Sequence, residues 1–114
     1  MQTTIKDVGQ YLEAQARLGA PVTYTDVIRK FPDLPPLGAQ WKSHPLCSIF
    51  GELDDEDHRR GRPFRTALVY AKETTRPGQG FFQAMTDLRG KTILKSEQDK
   101  VWNDELRAVI DHYK

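Results

Sequence analysis

The chain has 114 residues, 38% hydrophobic and 29% charged, with a single cysteine and a formal net charge of +1. That composition suits a globular protein with one core, so residues 1–114 read as a single domain. Lone Cys47 excludes an internal disulfide framework and fits the reducing cytoplasm, no apolar run is long enough for a membrane span or a signal peptide, and the small net charge gives no global pull toward nucleic acid.

Thr4, with Asp7 three residues on, predicts the cap of a first helix striped by Ile5, Val8, Leu12 and Ala16 and stopped at Gly19. The β-prone "PVTYT" follows, and Thr23 or Thr25 then caps a second helix carrying Val27, Ile28 and Phe31 that Pro32 ends. "PDLPPLGAQ" reads as a proline-rich loop. Ser43 or His44 caps a third helix with Pro45 at its first position, an inward face of Leu46, Ile49, Phe50 and Leu53, and a charged second half reaching Gly61. Residues 63–72 alternate as a strand, "TTRPGQG" turns, and Phe81, Phe82, Met85 and Leu88 suit a short strand running into a helix closed by Gly90. Ser96 starts a last helix striped by Trp102, Leu106, Val109, Ile110 and Tyr113.

The expected fold class is therefore α+β, mostly helical, with a short two- or three-stranded sheet and a C-terminal helix. Helix, short strand, helix, helix, then a two-stranded wing is the order of a winged helix-turn-helix. Two segments sharpen this. "PVTYTDVIRKF" resembles the "TYxxhA" stretch that opens the second helix in the DNA-binding domain of alkylguanine-DNA alkyltransferases and alkyltransferase-like proteins, and "GQGFF" resembles that family's "GGY"-like segment after a strand and turn. The resemblance spans roughly residues 21–82 and implies a DNA-binding scaffold. The family's reactive cysteine lies in "PCHR", whereas Cys47 sits in "HPLCSIFG" and "RPFRTALV" holds no cysteine, so alkyl transfer is not implied.

Catalysis is not expected: no nucleophile elbow, phosphate loop, dinucleotide fingerprint or HExxH motif occurs, and three histidines join no convergent acid–base set. His44 and Cys47 have the spacing of two metal ligands, but no further pair completes a zinc site, so a buried cysteine beside a helix cap is the preferred reading and neither metal nor cofactor is expected. In "ELDDEDHRRGR", Asp55–Arg59 and Glu56–Arg60 stand at i,i+4 with the acid first, which describes a solvated helix face.

Charge is unevenly spread. Residues 43–62 carry five acids against three arginines, while residues 63–95 carry six cations against two acids, a net of +4. Two functions follow, and neither involves a small-molecule substrate. In the first, a non-enzymatic winged-helix protein binds double-stranded DNA: Gln40, Lys42, Ser43 and His44 enter or flank a groove, and Arg62, Arg65, Lys72 and Arg76 contact the backbone. In the second, a protein-interaction module docks through the acidic face of Asp54, Asp55 and Asp57 with Trp41 as an exposed contact. One of Phe81 and Phe82 is also expected at the surface, since adjacent residues on a strand face opposite ways.

Overall fold

In the computed structural model, which describes residues 2–38 and 43–114, α1 spans Ile5–Leu18 and begins on the expected capping box. The Thr4 hydroxyl accepts from the Asp7 amide, and the Asp7 carboxylate accepts from the Thr4 amide. Gly19 ends the helix in the left-handed region at φ 64°. A second capping box, Thr23 with Asp26, starts α2 at Tyr24–Lys30. His44 caps α3, Pro45–Arg59, whose Leu46, Ile49, Phe50 and Leu53 are buried as the spacing requires. Helix α4 is Gln79–Arg89, closed by Gly90, and α5 is Gln98–Tyr113. The protein is thus a small, mostly helical α+β domain.

Its sheet has two strands of two residues each, β1 (Val22–Thr23) and β2 (Val69–Tyr70), which pair in parallel. Parallel partners need a long crossover, here supplied by α2 and α3. The expected strand over 63–72 is corrected. Residues Arg65–Leu68 form a 3-10 turn, and only Val69 and Tyr70 are extended. Phe64 to Val69 are all buried, so they carry no inside–outside alternation of the kind a half-exposed strand shows. The hairpin reduces to one antiparallel bridge, Ala71 to Arg76, around a turn in which Thr75 sits at φ 56°.

Phe81 and Phe82 are likewise corrected. They lie on α4, and both are buried, packed edge to face at 5.2 Å. Ser96 does not cap α5, which is led in by a 3-10 turn at Lys95–Glu97. Of the predicted stripe on α5, Val109 is buried and Trp102, Leu106, Ile110 and Tyr113 are half-buried against the core; Gln98 and Glu105, which the stripe left out, are buried as well.

The charged half of α3 departs most from expectation. Asp55 and Arg59 do form their exposed i,i+4 pair at 3.2 Å. Asp57, however, is 0% exposed and Asp54 only 4%, so the solvated face holds Glu52, Asp55, His58, Arg59 and Arg60 but not these two acids. Gly61, at φ 65°, reverses the chain: its amide donates to the His58 carbonyl and the Arg62 amide to that of Asp57, the two bonds of a Schellman motif. The reversal brings Arg62 and Arg65 back onto Asp57. Arg65 Nε reaches both carboxylate oxygens at 3.1 and 3.2 Å, and its own backbone amide donates to Oδ2 at 2.9 Å. The rest of the Arg65 guanidinium pairs with Glu13 on α1 and Glu56 on α3, at 2.9 and 3.1 Å.

One guanidinium thus ties α1, α3 and the 3-10 turn together. A Cβ on Gly9 of α1 would lie 2.5 Å from Arg65 Nη1, so a bare backbone is needed where α1 crosses it. Glu105 of α5 plays the matching role beside it. It accepts from the Phe64 amide at 2.6 Å and holds Arg89 of α4 in a two-bond fork at 2.8 Å, with that guanidinium 4.1 Å over the Phe64 ring.

Removing one partner of a buried pair leaves the other charge uncompensated, at a cost of about 3–5 kcal/mol. Arg65→Ala is therefore expected to lower unfolding stability by that amount in urea denaturation. Arg59→Ala, at an exposed pair, should change it by under ~0.5 kcal/mol. Equal effects of the two would contradict the assignment.

Candidate functional site

Of the six described residues expected to touch DNA, His44, Arg62, Arg65 and Arg76 make hydrogen bonds or ion pairs within the fold. Arg65 is buried in the network just described. Arg62 is half-buried and pairs with Glu56 and Asp57 at 3.0 and 2.9 Å. Arg76 pairs with Asp99 at 3.3 Å. His44 is buried, its Nδ1 accepting from the Leu46 amide at 3.0 Å, so Nε2 carries the proton and donates to the Pro35 carbonyl at 2.8 Å. It caps α3. Ser43 and Lys72 are exposed, while Gln40, Trp41 and Lys42 lie outside the described residues. Of the acids expected to form a docking face, Asp54 and Asp57 are buried and Asp55 is exposed.

Exposed cations do remain. Lys72, Lys91 and Lys95 form no ion pair among the described residues. Lys72 stands on the rim of a cleft of about 900 Å³, a feature that the sequence reading did not anticipate.

Three walls shape this cleft, and Leu37, Gly38, Cys47 and Ile93 complete its lining. Thr23, Tyr24 and Thr25, where β1 runs into α2, form one wall; the 71–78 turn forms the second; the start of α4, with Gln98 behind it, forms the third. The Tyr24 hydroxyl accepts from the Gly78 amide at 3.0 Å and pins the turn to α2. Burial pushes the Tyr24 phenol up from its ordinary value. Helix α4 begins at Gly78 without a side-chain cap, so its first-turn N–H donors have no side-chain acceptor of their own there.

Gln98 is only 7% exposed; its Nε2 donates to Gln79 Oε1 at 3.3 Å, and its own Oε1 has no hydrogen-bond partner among the described residues. Cys47, half-buried, also lines the cleft instead of being enclosed in the core. Chemically, the cleft pairs aromatic surface from Tyr24 and Phe82 with helix N–H donors and an unmatched carbonyl acceptor. Among the described residues no cluster of three or more His, Cys, Asp or Glu is placed to hold a metal ion. No helix among them is long and apolar enough to cross a membrane.

Below the cleft lies Asp54, to whose Oδ1 the Thr66 hydroxyl donates at 2.5 Å. Burial drives its carboxyl up to about 7; the Thr66 bond and Arg89 oppose this, and the charges of Asp57 and Glu105 add to it.

Comparison of the chain with protein-family models, curated proteins and solved structures finds no match, so the functional reading rests on the chain's own residues.

Because the Asp54 carboxyl holds its proton more tightly folded than unfolded, its contribution to stability is full below the unfolded value near ~4 and is lost as pH rises through about 7. Asp54→Asn keeps an acceptor for Thr66 and removes the ionisation. Its stability relative to the natural protein should rise by a few kcal/mol between about pH 5 and 8.5 in thermal denaturation. A difference independent of pH would show that Asp54 is ionised throughout.

Proposed function

We propose that this protein is a non-catalytic nucleic-acid-binding module that holds an unstacked base in the cleft between α2, the 71–78 turn and α4. The observation that carries the reading is the cleft itself, with aromatic and apolar walls, Gln98 Oε1 unmatched in its lining, and Lys72 at the rim. Bases displaced from a stack are held by aromatic surfaces and read through hydrogen bonds to their edges, and a base edge offers both donors and acceptors. First-turn N–H groups of α4 meet acceptors; Gln98 Oε1 meets a donor. Lys72, Lys91 and Lys95 supply sequence-independent attraction to phosphates.

Two further observations support the reading. Tyr24 from "TYTD" and Gly78, Gln79, Gly80 and Phe82 from "GQGFF" all line this cleft, so both segments behind the resemblance to alkyltransferase-like DNA-binding domains meet at one place. The element order is also compatible with a winged helix-turn-helix, with α2 and α3 as the paired helices and the 71–78 turn in the position of a shortened wing. In this reading the basic residues of the 62–82 segment divide their roles. Arg62 and Arg65 hold the fold, and Lys72 faces the ligand.

Fluorescence anisotropy of labelled single-stranded and duplex DNA across a salt series tests the proposal. Three lysine–phosphate contacts predict a log–log salt slope of about −2 on a single strand, and Lys72→Ala should make it shallower by about 0.7. Gln98→Leu should weaken binding about 10-fold without changing the slope. Absence of binding at low salt, or a slope near zero, would refute the reading.

A further inference from the structure

A side chamber of about 140 Å³ adjoins the cleft and shares Tyr24, Cys47 and Gly80 with it. An apolar cavity of about 150 Å³ admits a benzene ring, so the chamber has room for one six-membered ring and not for a fused pair. Phe81 and Ala84 of α4 give it apolar walls, and among the described residues lining it Asp54 alone is charged. The Thr66 hydroxyl occupies Oδ1 of that carboxyl and fixes its orientation. Its second oxygen, on a side chain 4% exposed, has no hydrogen-bond partner among the described residues. That oxygen is not fully enclosed and Asp54 lines the chamber, so an N–H placed there can donate to it.

We propose that this chamber is the amino-group subsite of the cleft, in which the six-membered ring of an unstacked base donates its exocyclic N–H to Asp54 Oδ2. The proposal rests on the nucleic-acid reading above and names the base that suits the site. Cytosine is a single ring with an amino donor of the kind that carboxylates accept from. Uracil places a carbonyl at the same position and would set acceptor against acceptor. Adenine has the amino group on a fused ring system larger than the chamber. The charged and titratable groups around Asp54 are Asp57 on its own helix, Arg89 from α4, Glu105 from α5, and Tyr24 and Cys47 across the chamber. Since burial raises the carboxyl to about 7, measurement at about pH 8 keeps it ionised and purely an acceptor.

The test compares oligodeoxycytidine with oligodeoxyuridine of equal length by anisotropy at low salt. The natural protein is expected to bind the cytidine chain about 10-fold more tightly. In Asp54→Asn the preference should shrink to within about 2-fold, with uridine binding unchanged, since a neutral amide accepts more weakly than a carboxylate. Ala84→Leu, which fills the chamber from α4, should erase the preference as well, and circular dichroism checks that both variants fold. Equal binding of the two chains by the natural protein, or a preference that survives in Asp54→Asn, overturns the subsite and leaves the nucleic-acid reading standing. Failure to bind either chain overturns both.

Discussion

A carboxylate with no exposed surface must be neutralised where it lies, and Asp57 imposes that demand on the rest of this fold. Desolvating such a group costs several kcal/mol, recovered only when its partners are close and well aligned. Here they come from one stretch of chain: the Schellman turn at Gly61 folds residues 62–65 back, and Arg62, Arg65 and the Arg65 amide all converge on the carboxylate. The same Arg65 guanidinium then reaches Glu13 on α1, which explains why α1 presents a glycine at the crossing. Glu105 repeats the device from α5, binding the Phe64 amide and Arg89. Two buried acids therefore position the 3-10 turn, and the turn positions β2.

With Arg62, Arg65 and Arg89 held by internal acids, the excess positive charge of the 63–95 segment falls to its exposed lysines. Placing β2 beside β1 sets the 71–78 turn against Tyr24, and their hydrogen bond shapes one side of the cleft. Arginines paired with acids and exposed lysines thus alternate along residues 62–95. Asp54 stands between the two regions, packed beside the buried acids yet lining the chamber next to the cleft.

Local rules made much of the fold legible. The boxes Thr4–Asp7 and Thr23–Asp26, the proline after the His44 cap, and the glycines after α1 and α4 are short-range signals, and each element begins or ends where they say. The stretch from 62 to 70 misled for a physical reason. A segment buried on every side gives the same apolar pattern whether it is a strand or a helical turn, and only the long-range bonds from Asp57 and Glu105 decide between them. The acidic helix misled similarly: spacing alone gave Glu56 to Arg60, while the fold gives it to Arg62 and Arg65. Of the site, Tyr24 and "GQGFF" were marked by their resemblance to a DNA-binding family. The cleft that unites them comes from tertiary packing, and no signal in the sequence pointed to Gln98 or to the chamber at Asp54.

The claim that ties these observations together is that recognition occurs at the cleft while the arginine network stays internal. Amide chemical-shift mapping by NMR during titration with a single-stranded oligonucleotide tests it directly. The account predicts shifts at residues 23–25, 71–83 and 93–98, with the Arg62 and Arg65 side-chain resonances unmoved. Shifts centred instead on the exposed face of α3, or on Arg62 and Arg65, would contradict it.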